Sequence, residues 1–295
     1  MVCAALVALV AATTSSALNS SPAATATGAI LFHSDRAGNF DIYVMDADGR
    51  GQRQLTDDPA PDFWGSWSPD GRRIAFTSAR DGNFDIYIMN EDGSGQRRLT
   101  TNAADDFWPS WSPDGRSLAF TSRRDGRTEI YVVNVSGRAL RRLTHGGASI
   151  EPAWSPDGRT LAFTSSRAGS EDIYLVSSAG GPERRLTRTE THDFSASWSP
   201  DGRRIALTSV RNGGFRIEVM NADGTSRRAL GLDGRGDALL PSWSPSGRQL
   251  TFHRWTSVGA EIFVVGADGT GMRRLTRNDW LDVAPSWQPA SPLQS

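Results

Sequence analysis

The chain has 295 residues and a net charge of −1, with its 32 basic and 33 acidic residues interspersed, which excludes the concentrated basic face that a nucleic-acid partner requires. All 32 basic residues are arginine, so Schiff-base and serine–lysine chemistries are excluded as well. The single cysteine, Cys3, leaves no disulfide or thiolate metal site to hold the fold.

In chain order, Val2 to Ala12 is an apolar run of 11 residues, too short to span a membrane. Small and hydroxyl residues follow, then Ala24-Thr25-Ala26, a cleavage-like pattern. This reads as a secretory leader over residues 1–27, although the basic residues that usually open one are missing. Ser15 to Thr27 reads as a flexible linker.

From Ala29 the chain becomes repetitive. Its central phrase, Trp-Ser-Pro-Asp-Gly-Arg, stands at Trp67, Trp111, Trp154 and Trp198, then fades to WSPSGR at Trp243 and WQPA at Trp287. Successive tryptophans lie 44, 43, 44, 45 and 44 residues apart, the period of one supersecondary unit copied many times. Within a unit, Ser68-Pro69-Asp70-Gly71 is a turn: proline presets φ, aspartate bonds the local backbone, and glycine accepts a positive φ. Ile74 to Thr77 then reads as a strand, Arg80 to Asn83 as a polar loop, and Asp85 to Met89 as another strand. Asn90-Glu91-Asp92-Gly93 turns the chain into Arg97 to Thr100. With the tryptophan segment itself, each unit offers four short antiparallel strands.

The two ends are complementary. Ala29 to Thr56 has the last three strands and no tryptophan strand, whereas Ala284 to Pro289 has only the tryptophan strand. We therefore expect an all-β fold: a six-bladed β-propeller of four-stranded antiparallel blades over residues 28–290. Its ring closes by pairing the C-terminal strand with the N-terminal blade, and a tail covers 291–295.

These residues resemble the TolB-like propeller family, whose WD40-like repeat has the signature P-x-W-S-P-D-G-x-x-I-A-F followed by a D-I-Y strand and R-L-T. The resemblance covers about nine tenths of the chain and implies an extracytoplasmic protein-binding platform. Similar propellers also precede the hydrolase domains of prolyl-oligopeptidase-like and tricorn-like peptidases. The family's namesake carries an additional N-terminal α/β domain that the short leader does not supply, so the Tol–Pal partnership is not carried over.

The near-identical SPDG and ADG-type turns should share one face of the wheel, and the irregular connections the other. Variable loops on a rigid scaffold are where function is usually mounted. On that face, five positions before each repeat tryptophan, stand Asp62, Asp106, Ser149, Asp193, Ala238 and Asp282. If the four carboxylates converge at the channel mouth they would suit a hard cation such as calcium; otherwise each caps its own turn. The rim aromatics Trp64, Trp108, Trp255 and Trp280, with Phe63, Phe107 and Phe194, would anchor a ligand or wedge between blades. Arg36/Asp41, Arg80/Asp85, Arg124/Glu129 and Arg167/Asp172 read as loop-clamping ion pairs, each worth under about 1 kcal/mol.

The fifth and sixth repeats break that pattern at Arg211/Arg216 and Thr256/Glu261 and contain the unusual Gly231 to Leu240 connection. This makes them the asymmetric sector of the ring. His33 and His253 share a repeat position, which we read as two semi-exposed strand residues. The Asp46 to Gly49 and Asn90 to Gly93 turns lack the further ligands of a calcium loop. No nucleophile elbow or zinc-protease helix is present, so no catalytic residue is named.

The expected function is a non-enzymatic, exported (periplasmic or secreted), monomeric scaffold that binds a protein, peptide or cell-envelope glycan through its variable-loop face. It calls for no cofactor and has no membrane span. The alternative is a metal-assisted hydrolase or lyase at the carboxylate-lined mouth.

Overall fold

The reversal at the repeat phrase closes through its own side chains. Gly71 donates its N–H to the Ser68 carbonyl at 2.8 Å, and the Ser68 hydroxyl donates to Asp70 at 2.5 Å. The hydroxyl-to-aspartate bond returns at Ser112, Ser155 and Ser199, each at 2.6 Å. In the fifth turn Ser246 replaces the aspartate, and its hydroxyl lies 3.2 Å from that of Ser244.

A computed structural model describes residues 28–232 and 237–290. The leader with Cys3, the tail 291–295 and positions 233–236 of the Gly231 to Leu240 connection lie outside the described residues. Every reversal feeds a four-stranded antiparallel sheet, and there are six of them among the described residues. Blade 2 is representative, with an inner strand Asp62–Trp67, a second strand Arg73–Ser78, a third Asp85–Asn90 and an outer Arg97–Arg98. The outer strand is shorter than the sequence suggests. Beyond it Leu99 is buried, and the Thr100 hydroxyl takes the Ile86 N–H at 2.9 Å. Blades 3 to 6 begin with inner strands Asp106–Trp111, Ser149–Trp154, Asp193–Trp198 and Ala238–Trp243.

Blade 1 is composite. Its inner strand is Asp282–Trp287, paired antiparallel with Ile30–Ser34 so that Ile30 faces Trp287 and Ser34 faces Asp282. The expected closure is therefore the observed one, and inner strands touch all round, including Asp282–Trp287 against Asp62–Trp67.

The apolar core is divided among the seams. Leu31, Ile42, Val44 and Leu55 of blade 1 pack on Trp67, Ile74, Phe76 and Tyr87 of blade 2. The other five seams each have a cluster of the same make-up, that between blades 6 and 1 included. Contact is close enough to dictate residue type: a Cβ on Gly93, at φ 92°, would lie 2.6 Å from the Leu55 carbonyl oxygen. Outer-strand arginines staple the seams on the same face. Arg97 donates to the Val135 carbonyl at 2.7 Å, and Arg273 to that of Ala47 at 3.0 Å. Antiparallel pairing places both kinds of short turn at this end of the wheel and all remaining loops at the other.

Candidate functional site

All six inner strands are interrupted at one place. In blade 2 the register shifts between Phe63 and Ser66, and the same shift recurs in every blade. At each bulge one residue adopts a left-handed backbone: Trp64 (φ 52°), Trp108 (51°), Glu151 (56°), Ser195 (54°), Leu240 (55°) and Ala284 (51°). Bulges bend a strand and re-aim a side chain. On the channel-lining strand, near its loop end, this sets six equivalent residues around the mouth, one per blade, with Glu151 and Ser195 buried and Trp64 and Trp108 partly so. Their N–H groups turn to the preceding blade. Glu151 N–H donates to the Thr121 hydroxyl at 3.2 Å, Leu240 N–H to that of Thr208 at 3.0 Å.

The mouth is uneven. Trp64 and Trp108 form an aromatic arc, with ring centroids 4.9 Å apart and planes tilted 49°. Glu151 and Ser195 form a polar arc, where one Glu151 carboxylate oxygen accepts the Ser195 N–H at 2.9 Å and the hydroxyls of Ser195 and Thr164 at 3.0 Å each. Leu240 and Ala284 complete the ring with apolar side chains. Sequence reasoning found the two tryptophans and missed the other four. A signal was available: three positions before each repeat tryptophan, an otherwise repetitive strand changes residue type from copy to copy.

The candidate carboxylates are elsewhere. Asp62, Asp106, Asp193 and Asp282 are 0% exposed and form a buried belt beneath the loops, each held by an arginine. Arg80 meets Asp62 at 2.9 Å, Arg124 meets Asp106 at 2.8 Å, and Arg36 meets Asp282 at 2.6 Å. Asp193 is gripped by both terminal nitrogens of Arg227 at 2.6 Å each. Burial pushes the Asp62 and Asp106 carboxyls up from the ordinary range, with their arginines pulling the other way. Among the described residues no three acidic, histidine or cysteine side chains are placed to hold a metal ion. The expected convergence at the mouth is thus corrected: Asp62, Asp106, Asp193 and Asp282 each pair with an arginine of their own blade.

The ion-pair assignment is corrected as well. The loop arginine reaches back to the inner strand, and the third-strand acid takes the outer-strand arginine instead, as in Asp85–Arg98 and Glu129–Arg142, both at 2.6 Å. At Asp41 that arginine is replaced by Gln54, which donates at 3.0 Å. Burial, with Asp62 nearby, pushes the Asp41 carboxyl up to about 7. His33 and His253 are buried, not semi-exposed, and burial lowers both to about 3, so both are neutral.

Phe63, Phe107 and Phe194 are buried, and Phe107 packs between blades at 5.4 Å from Phe84. Trp255 and Trp280 are exposed, at 38% and 41%. They share one sector: Trp255 pairs with Ala260, Ala260 bridges to Leu281, and Gly259 lies against the Trp280 carbonyl. Val258, 56% exposed, stands between them in the chain. Blade 5 alongside has strands of eight residues, Arg204–Arg211 and Gly214–Asn221, joined by a two-residue Asn212-Gly213 hairpin with both φ positive. The irregular sector of the sequence is thus irregular in structure.

The profile of the TolB beta propeller domain matches residues 8–105, 65–151 and 146–239. No curated protein matches. Among solved structures, TolB from Acinetobacter baumannii superposes with a TM-score of 0.78 at 24% identity, covering 89% of this chain and 67% of that one. A putative TolB from Agrobacterium tumefaciens gives 0.72 at 23%, covering 90% of this chain and 100% of that one. Hydrazine synthase from Kuenenia stuttgartiensis gives 0.76 at 15%, covering 91% and 47%. At these identities the likeness is one of fold.

Proposed function

Because the chain belongs to the TolB beta propeller domain family, we propose that it is an exported, non-catalytic scaffold that receives a protein or peptide partner on its variable-loop face. One observation carries this reading. Six equivalent left-handed positions ring the channel mouth and hold six side chains differing in size and polarity, while the opposite face repeats itself. The aromatic arc Trp64–Trp108 offers apolar surface with little conformational freedom to lose. The exposed Trp255, Val258 and Trp280 extend that apolar surface outward along the rim. Among the described residues no helix is long and apolar enough to cross a membrane.

The test is capture from an envelope fraction by the immobilised full chain, comparing the natural sequence with a Trp64→Ala, Trp108→Ala variant and a Trp255→Ala, Trp280→Ala variant. The reading expects a specific protein to be captured by the parent and lost from at least the first variant. Equal capture by all three would overturn it. Export is tested separately, by sequencing the N-terminus of the protein recovered outside the cytoplasm, with cleavage after Ala26 as the expected result.

A further inference from the structure

Two seams on the turn face are capped by an arginine from the start of a second strand. Arg73 lies over the Trp111 ring at 4.7 Å and donates to the Gly115 carbonyl at 3.3 Å. Arg204 lies over Trp243 at 4.5 Å and donates to the Gly247 carbonyl at 3.2 Å. Both tryptophans are buried, at 6% and 5% exposure. At the seam of the composite blade Gln288 reaches the Gly71 carbonyl instead, at 3.0 Å.

Between blades 3 and 4 the equivalent of Arg73 is Ser117, whose side chain is too short to reach across. The seam there opens into a cleft of about 690 Å³, bordered by Ser112, Asp114, Asn134, Trp154, Asp157 and Gly158. Trp154, like Trp198, is only partly buried, and its indole N–H, like those of the buried Trp67 and Trp287, has no hydrogen-bond partner. At the next seam Thr160 also replaces the arginine, yet Trp198 still donates to the Ala153 carbonyl at 3.2 Å. The cleft keeps the parts the two arginine caps use: a tryptophan face and a turn-glycine carbonyl, with an aspartate two residues beyond the turn serine. Asp114, held below the ordinary carboxylate range by bonds from the Ser112 hydroxyl and the Arg116 N–H, is ionised at neutral pH. Arg141, at the outer end, is committed to the Ser178 carbonyl.

We propose that this cleft seats a guanidinium group from outside the chain, stacked on Trp154 and bonded to the Gly158 carbonyl, as Arg73 and Arg204 are seated at their own seams. A planar guanidinium stacks on an indole and donates in its own plane at once, which an ammonium does not. Leu140, 45% exposed, stands in the chain between the cleft residues Ala139 and Arg141, so an arginine presented beside an apolar residue would gain a second contact.

The experiment follows the ten tryptophan indole signals of the isotopically labelled full chain by nuclear magnetic resonance, with Trp154→Phe identifying the signal of Trp154. Arginine amide is expected to shift that signal saturably, at least about tenfold more tightly than lysine amide. Ser117→Arg, which supplies the cap within the chain, is expected to abolish the response and raise the melting temperature. A blocked leucine–arginine peptide that binds more tightly than arginine amide identifies a partner's side chain as the source; equal binding identifies a small guanidinium compound. No shift with arginine amide, an equal shift with lysine amide, or an undiminished response in Ser117→Arg would each overturn the proposal. The site is on the face opposite the channel mouth, so none of these results bears on capture there.

Discussion

On the turn face, the left-handed positions of the repeat phrase are Gly71, Gly115, Gly158, Gly202 and Gly247, with φ between 66° and 70°. On the loop face, the left-handed positions of the inner strands are Trp64, Trp108, Glu151, Ser195, Leu240 and Ala284, with φ between 51° and 56°. A side chain in that conformation costs about 1–2 kcal/mol that glycine does not incur. At the turn of the repeat phrase, where only the path of the backbone matters, the chain uses the unstrained residue, although in the ADG-type turns Ala139 and Ser226 are left-handed at φ 53° where Gly51 and Gly95 stand in other blades. The strain retained six times over at the inner-strand bulges is the ground on which we propose the mouth as the recognition surface.

The largest effect should come from the face where geometry rules. Trp111→Ala removes a buried ring, its bond to the Ser66 carbonyl at 3.1 Å and the seat of Arg73, and should cost about 3–5 kcal/mol in urea unfolding. Arg80→Ala should cost about 3 kcal/mol in the same assay, because it strands the buried Asp62 carboxylate. A loss under about 1 kcal/mol, the figure for an exposed pair, would mean that the belt beneath the loops is more accessible to water than the structure shows.

Asp41 gives a pH test of that belt. Its carboxyl is raised to about 7 when folded, against about 4 when unfolded, so its contribution is present below pH 4 and lost as pH rises through 7. Asp41→Asn should match the parent at low pH and exceed it increasingly toward pH 7, by no more than about 1.4 kcal/mol per pH unit. A constant difference across this range would place Asp41 in contact with water. The comparison of the faces is sharpened most directly at one bulge. Trp64→Gly should be more stable than Trp64→Ala by about 1 kcal/mol, although both remove the same ring. Equal stability of the two variants would remove the argument from strain.

The fold was legible because each repeat copies its turn: Trp67, Trp111, Trp154 and Trp198 head the same phrase, and the missing strand at Ala29 is the extra one at Ala284. The site was legible only in part. Spacing along the chain suggested that Arg80 meets Asp85, but Ser78 lies beside both Asp62 and Asp85 in neighbouring strands, and only the side-chain packing decides which acid Arg80 takes. The bulges escaped notice because their left-handed residues are not glycines, so composition carries no mark of them. The arginine caps were legible in retrospect, since Arg73 and Arg204 stand where Ser117 and Thr160 do.

The pairing of Ile30 with Trp287 sets the order in which this molecule can be finished. Joining segments so far apart costs only about 1.5 kcal/mol more chain entropy than closing a single repeat, because that term grows with the logarithm of length. The equilibrium expense is small, but the delay is not, for a growing polypeptide stays an open arc until its final strand is made.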